Sequence, residues 1–214
     1  YLSDLAAPDN FLSIPHVAWI TVLACMIIGL TDDLKSNFLS PVFRLFSLIL
    51  VFGLCVFFLP YLVPLNLGIP GLDFLLTIQP LGLLLTVVFC VGFVNAVNMA
   101  DGANGLMPGT LTLAFLLFYW ETGMVVYASL MTACAVFTIF NLISGRLFLG
   151  DAGAYGLGSV LVLSGLYLFS EKIFSASFLA VLLAYPCIDI LVTVFRRKLK
   201  GRSVFLPDND HLHN

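Results

Sequence analysis

The sequence predicts an all-α fold, a polytopic bundle of about seven transmembrane helices forming one domain over residues 1–214. Three observations carry this. The chain is 61% hydrophobic and 10% charged, with mean hydropathy +1.09, where a soluble domain has roughly 45–50% apolar and about 25% charged residues. Apolar runs close to the ~20 residues that cross a ~30 Å hydrocarbon core recur from end to end, so neither a removable leader nor a lone anchor accounts for them. The polar residues gather in four clusters that fall at alternate ends of those runs: Asp32-Asp33, Asn95 to Gly105, Gly150-Asp151 and Asp210 to His213.

The first span is expected over 15–31 and ends on Asp32-Asp33. The second, 41–62, leads into a proline- and glycine-rich connection from Pro60 to Asp73, and the third, 74–97, runs into the Asn95 to Gly105 cluster. The fourth, 107–120, is the shortest and reaches only about 21 Å at ~1.5 Å per residue. Glu121-Thr122-Gly123 turns it toward the fifth, 124–143; a re-entrant segment here would break the alternation. The sixth, 153–170, follows Gly150-Asp151, and the seventh, 174–195, begins after the charged turn Glu171-Lys172. Asp189 lies inside that last run, behind Pro186. An intramembrane carboxylate is a functional candidate, but beside a proline kink it reads as a structural pairing group.

With seven spans, the connections after the first, third, fifth and seventh share a side and hold all four clusters. The basic residues test this independently. Lys35, Arg44, Arg146, Arg196, Arg197, Lys198, Lys200 and Arg202 lie on or near that side, and Lys172 lies opposite. By the positive-inside rule the shared face is cytoplasmic. The net charge of −3 carries little meaning beside this placement, and no nucleic-acid partner is expected. All five cysteines sit inside apolar runs and read as small packing residues. The chain opens on Tyr1 and stops at Asn214, directly after a polar cluster; the expectation is a piece of a longer protein, truncated at both ends.

Each cluster has a chemical reading and a plainer one. Asp32 and Asp33 end a helix, where the negative pole of the macrodipole disfavours anions, so Lys35, Arg44 or a bound cation should compensate; the plainer reading is a solvated acidic turn. The amides, carboxylate and glycines from Asn95 to Gly105 are more polar than helix packing needs, because each polar group near hydrocarbon must be paired or wet. Asn95 and Asn98 can share a helix face, and Gly102 and Gly105 allow tight turns. Asp151 can cap the helix that follows or hold a hard cation through oxygen, while Gly153, Gly156 and Gly158 suit close helix packing. His211 and His213, after a basic run, can meet phosphates, or belong to a solvated tail. Together the clusters offer carboxylates for a metal, amides for a ligand and cations for phosphates. Oxygen ligands suit magnesium better than a transition metal, and the membrane setting makes one substrate a lipid.

The ordered set of motifs resembles the polyprenyl-phosphate N-acetylhexosamine-1-phosphate transferases, the bacterial glycosyltransferase family 4. The motifs are Asp32-Asp33, the Asn-x-x-Asn-x-x-Asp-Gly run from Asn95 to Gly102, the Phe-x-Gly-Asp-x-Gly run from Phe148 to Gly153, and a histidine motif. The likeness covers nearly the whole chain, and the Gly150 to Gly153 wording with the His211-Leu212-His213 ending is closer to the WecA-type branch than to the muropeptide branch. The resemblance implies transfer of a sugar-1-phosphate from a UDP-N-acetylhexosamine to undecaprenyl phosphate, releasing UMP, in a multi-pass protein of the bacterial inner membrane with its active site on the cytoplasmic face. It implies Mg²⁺, with Mn²⁺ as a substitute, and suggests a homodimer. By motif, Asp151 would ligate the metal and Phe148 would contact the uracil. Asp32 and Asp33 would serve the lipid phosphate, Asn95, Asn98 and Asp101 the nucleotide and diphosphate, and His211 and His213 the phosphates. Electrostatics adds Lys35, Arg44 and Arg146 as phosphate partners.

Two departures stand out: Asn104 replaces the second aspartate of the family's Asp-Gly-x-Asp-Gly loop, and Asn214 stands where a further histidine is usual. The family has about ten spans, so this piece alone is expected to be inactive. A transporter would place ionisable groups along a midplane pathway, where Asp189 is the one moderately deep candidate. A CDP-alcohol phosphotransferase needs Asp-Gly-x-x-Ala-Arg, which Asp101 to Leu106 does not supply, and an intramembrane aspartyl protease needs a glycine where Phe148 stands. A catalytically inactive membrane scaffold is the remaining alternative.

Overall fold

A computed structural model of the chain describes residues 16–34, 39–102, 104–145 and 147–199, with Arg196 and Arg197 described by backbone alone. The described residues build a helical bundle: α1 His16–Leu34, α2 Pro41–Phe58, α3 Pro70–Thr77, α4 Gln79–Ala100, α5 Leu106–Thr122, α6 Val125–Ser144, α7 Gly150–Ser170, α8 Ala176–Leu182 and α9 Ala184–Leu199. α1, α2, α4, α6 and α7 are each long and apolar enough to cross a membrane, and the bent pair α8–α9 makes a sixth candidate. The protein is a multi-pass membrane protein.

α7 is the central helix. Most of it is buried, whereas α1, α2 and α6 turn most of their length outward. Side chains such as Ile20, Phe46, Phe57 and Ile143 are exposed on those outer faces, as hydrocarbon surroundings favour and water would not. Small residues set the spacing around α7. A Cβ at Gly156 would meet Met26 of α1 at 2.8 Å, and one at Gly158 would meet Val97 of α4 at 3.4 Å, so both glycines lie at helix contacts. The cysteines pack as expected: Cys25, Cys55, Cys90 and Cys134 are buried and all five are free thiols.

Among the described residues five helices, or six with the bent pair, qualify as spans where seven were expected; the segment expected as the fourth is helical throughout but falls short of spanning length. α5 has 17 residues, about 25 Å at ~1.5 Å per residue, and runs antiparallel to α6. Gly105 lies against Leu142, the Thr112 and Thr138 hydroxyls are 3.4 Å apart, and the Phe118 and Tyr127 rings meet edge to face at 5.3 Å. Gly123, left-handed at φ 67°, closes the turn. The hairpin therefore leaves one end of the bundle and returns to it.

The first helix runs on to Leu34 rather than 31 and the second ends at Phe58 rather than 62, and two further differences are set by prolines. The third span begins at Gln79 rather than at 74, behind a separate short helix α3. Pro80 is the reason, since a proline fits the first turn of a helix but not its interior. The run expected as one span over 174–195 is broken into α8 and α9, which meet at 64°. Pro186 has no N–H to give the Leu182 carbonyl, so α8 cannot continue through it.

Candidate functional site

The site starts from a glycine. A Cβ on Gly29 would stand 2.3 Å from the Asp151 carbonyl oxygen, so only glycine lets α1 touch the backbone at the start of α7. That contact carries Asp33 over the first turn of α7, where its Oδ1 accepts the Asp151 N–H and its Oδ2 the Ala152 N–H, each at 2.9 Å. These amides have no partner within their own helix, and the carboxylate also meets the positive end of the α7 dipole. Gly150 is needed twice here. Its φ is 65°, and a Cβ would lie 2.8 Å from Asp33 Oδ2.

α2 supplies the cation. Ser40 caps its start by accepting the Phe43 N–H at 3.2 Å, and Pro41 opens the first turn. Arg44 then extends toward α1 and α7, with Nη1 2.6 Å from Asp32 Oδ2 and 2.7 Å from Asp151 Oδ2. The Leu39 N–H reaches Asp32 Oδ1 at 3.3 Å. Asn98, near the end of α4, lies within reach of the Asp151 carboxylate and favours its charged form. The compensation that an acidic helix end requires thus comes from Arg44 for Asp32 and from the α7 amides for Asp33.

Asp101 caps the end of α4 and accepts the Leu149 N–H at 2.9 Å. Burial pushes its carboxyl up to about 6, against the backbone hydrogen bonds from Leu149 and Gly150 that pull it down. Phe148, next to Leu149 in the chain, is half exposed at 49%. Asn95 is turned into the bundle instead. Its Nδ2 donates to the Val91 carbonyl at 2.8 Å, and its Oδ1 faces the Tyr155 hydroxyl at 3.5 Å.

Asn141 was not among the sequence candidates. Buried at 1% exposure near the end of α6, it accepts the Gly105 N–H and donates to the Leu147 carbonyl. It thereby ties the loop after Asp101 to the loop before Asp151. The signal was readable: an amide inside the apolar run Phe140-Asn141-Leu142 is costly unless paired.

Asp32, Asp33, Arg44, Asn98, Asp101 and Asp151 therefore meet at one end of the bundle, from α1, α2, α4 and α7. Lys35, Arg146, His211 and His213 lie outside the described residues. Asp189 is fully buried on α9, one turn beyond Tyr185. An apolar cavity of about 480 Å³, lined by residues such as Leu76, Phe89, Leu166 and Leu179, lies at the opposite end of the bundle, where it offers nothing to bind phosphate.

A divalent cation fits the donor set. Among the described residues no three acidic, histidine or cysteine side chains close around one point, and Mg²⁺ does not need them, since it is commonly held by one or two carboxylates with phosphates and water completing the shell. Asp32 and Asp151, which already share one cationic nitrogen, are the two carboxylates so placed.

A family model described as glycosyl transferase family 4 matches residues 16–169. The chain is 31% identical over 140 residues to a protein of Bacillus subtilis named as a probable undecaprenyl-phosphate N-acetylglucosaminyl 1-phosphate transferase, covering 61% of this chain and 39% of that one. It is 31% identical over 152 residues to the undecaprenyl-phosphate alpha-N-acetylglucosaminyl 1-phosphate transferase of Escherichia coli K12, covering 65% and 41%. It is 30% identical over 198 residues to a phospho-N-acetylmuramoyl-pentapeptide-transferase of Synechococcus, covering 84% and 56%. The chain thus spans about half the length, or less, of the curated relatives it matches.

Proposed function

The chain belongs to glycosyl transferase family 4, and from that premise we propose that the full protein transfers N-acetylhexosamine-1-phosphate from a UDP-sugar to a polyprenyl phosphate, releasing UMP, at the cytoplasmic face of the bacterial inner membrane. The observation that carries the reading is the junction at the head of α7. Carboxylates from two helices share one arginine nitrogen at 2.6 and 2.7 Å, within a ring of amides and polar loops at a membrane face. Phosphoryl transfer asks mainly for positioning and charge neutralisation, and this junction supplies both.

Mg²⁺, when bound, would supply charge neutralisation for the diphosphate. Asp32 and Asp151 would hold it, with Asn98 orienting the Asp151 carboxylate. Arg44 would offer its guanidinium to a phosphate. Asp33 has both oxygens committed to backbone amides, so its part is to fix the start of α7; Asp32 is the member of the pair left to face the lipid phosphate. Asp101 would steady the loop that carries Phe148, and Phe148 would give a ring face to the uracil. Lys35, Arg146, His211 and His213 would add positive charge around the phosphates. The relatives named for N-acetylglucosaminyl and for N-acetylmuramoyl-pentapeptide transfer stand at 30–31% identity, so the proposal extends to the hexosamine class and to no single sugar.

The test uses membranes holding the full-length protein, undecaprenyl phosphate and a panel of UDP-sugars, with UMP release measured with and without chelator. UMP release from at least one UDP-N-acetylhexosamine, abolished by chelator, is the expected result. No UMP from any sugar, or release indifferent to chelator, overturns it.

A further inference from the structure

We propose that Arg44 occupies the place of the divalent cation, so that metal entry and guanidinium release are a single exchange, driven forward when a phosphate captures the freed arginine. The inference rests on the reading of Asp32 and Asp151 as cation ligands.

Three observations lead to it. First, one atom does the bridging: Nη1 lies 2.6 Å from Asp32 Oδ2 and 2.7 Å from Asp151 Oδ2. A magnesium ion held by Asp32 and Asp151 would need the space between those two oxygens, which Nη1 fills. Guanidinium and metal exclude one another there. Second, while both are ionised Asp32 and Asp151 repel one another across a single point, and a cation between them relieves that repulsion. Asp33 has the α7 amides, but neither Asp32 nor Asp151 has a second described cation. Among the described residues Arg44 is the cation that fills the gap. Third, the ion pairs use Nη1 alone. A guanidinium carries five N–H donors in a fork matched to phosphate oxygens, and the Arg44 side chain is 23% exposed. It can therefore turn outward to a phosphate without leaving its helix. The exchange favours the metal between the carboxylates when an anion is present to receive the arginine, and linkage requires the converse, that metal tightens phosphate binding.

The experiment measures Mn²⁺ binding to the full-length protein in lipid nanodiscs by electron paramagnetic resonance, for the wild type, Arg44→Gln and Asp151→Asn, each with and without undecaprenyl phosphate. Arg44→Gln should bind Mn²⁺ about tenfold more tightly than the wild type, because no charge-assisted pair has to be broken first, and the gain should persist at high salt. Undecaprenyl phosphate should tighten Mn²⁺ binding more in the wild type than in Arg44→Gln. If Arg44→Gln binds no more tightly, or its gain vanishes in high salt as a screened field effect would, while Asp151→Asn loses the ion, the exchange is overturned and the metal reading stands. If Asp151→Asn binds Mn²⁺ as the wild type does, the metal reading fails and the exchange with it. Should Arg44→Gln not fold, the side-chain ¹⁵N resonance of Arg44 in the wild type gives the same answer: it must move on Mg²⁺ addition, and a resonance that stays in place rejects the exchange.

Discussion

Asp33 and Ala152 stand 119 residues apart in sequence and 2.9 Å apart in space, the aspartate Oδ2 receiving the amide of the first turn of α7. With the Asp151 amide on Oδ1, this is a helix cap supplied by a different helix. The two members of the Asp-Asp pair should therefore fail differently. Asp33→Ala leaves two amides without acceptors and should lower stability by about 1–2 kcal/mol, the scale of a lost cap. It should also displace Asp151, with a rate loss on the order of a hundredfold. Asp32→Asn should cost comparable activity with a smaller change in melting temperature, because asparagine keeps an oxygen for the Leu39 N–H and Arg44 keeps its pair with Asp151. Thermal melting of the two variants side by side decides it. Equal melting temperatures would remove Asp33 from the capping role.

The cap exists because two backbones touch, and the touch falls on Gly29, the one glycine of α1. A Cβ there would lie 2.3 Å from a backbone oxygen that cannot rotate away. Gly29→Ala should therefore destabilise the protein by about 1–3 kcal/mol, as overpacking does, and lower activity along with it. Gly53, in the middle of α2, has nothing within 4 Å of its would-be Cβ. Gly53→Ala should be neutral or raise stability by up to about 1 kcal/mol through helix propensity. Opposite signs in the melting temperatures of the two alanine variants are the expected outcome.

Asp101 sets a pH dependence with a fixed sign. Its carboxyl is raised by burial from 3.8 to about 6, so the folded state holds the proton more tightly than the unfolded chain. Its contribution to stability is full below the unfolded value and is lost as pH rises through about 6. Wild-type melting temperature should fall over that window by more than that of Asp101→Asn, which keeps an oxygen for the Leu149 amide but does not titrate. If the charged form is the one the transfer uses, kcat/KM should climb with an apparent pKa near 6 in the wild type, and that limb should be absent from Asp101→Asn.

The bundle and the shared end of its three described clusters were legible because they follow from period and polarity; the fourth cluster, Asp210 to His213, lies outside the described residues. Apolar length marks the helices, and a carboxylate at the end of an apolar run has few explanations. The roles within the site were not legible to the same degree. Asp32 and Asp33 are indistinguishable in sequence, and their division of labour depends on the angle at which α1 crosses α7, which Gly29 sets through a contact that no spacing rule encodes. Asn95 shares its motif with Asn98, yet the one turns into the bundle and the other reaches Asp151, a difference of about one helical turn. The break in the last span was half visible: Pro186 marked a kink, but not that α8 and α9 would part at 64°.

Asn141 joins two loops that the reading assigns to the nucleotide end of the site, through the Gly105 amide and the Leu147 carbonyl. Removing it takes the partner from one part-buried donor and one part-buried acceptor, at a cost of up to about 1–3 kcal/mol for each group that water does not reach. Stability alone would not separate a brace from any buried amide, so the kinetic signature matters more. Asn141→Ala lets the Asp101 loop and the Phe148 loop drift apart, while Asp32 and Arg44 keep their places on α1 and α2. KM for the UDP-sugar should therefore rise several-fold with KM for the lipid phosphate nearly unchanged. Asn141→Asp is the sharper variant, since it can still accept the Gly105 N–H but turns a carboxylate toward the Leu147 carbonyl. It should resemble Asn141→Ala near neutral pH and recover toward wild type as the pH is lowered and the new carboxyl takes up a proton it can donate. A loss confined to kcat, with both KM values intact and no recovery in acid, would show that the two loops do not depend on Asn141 for their alignment.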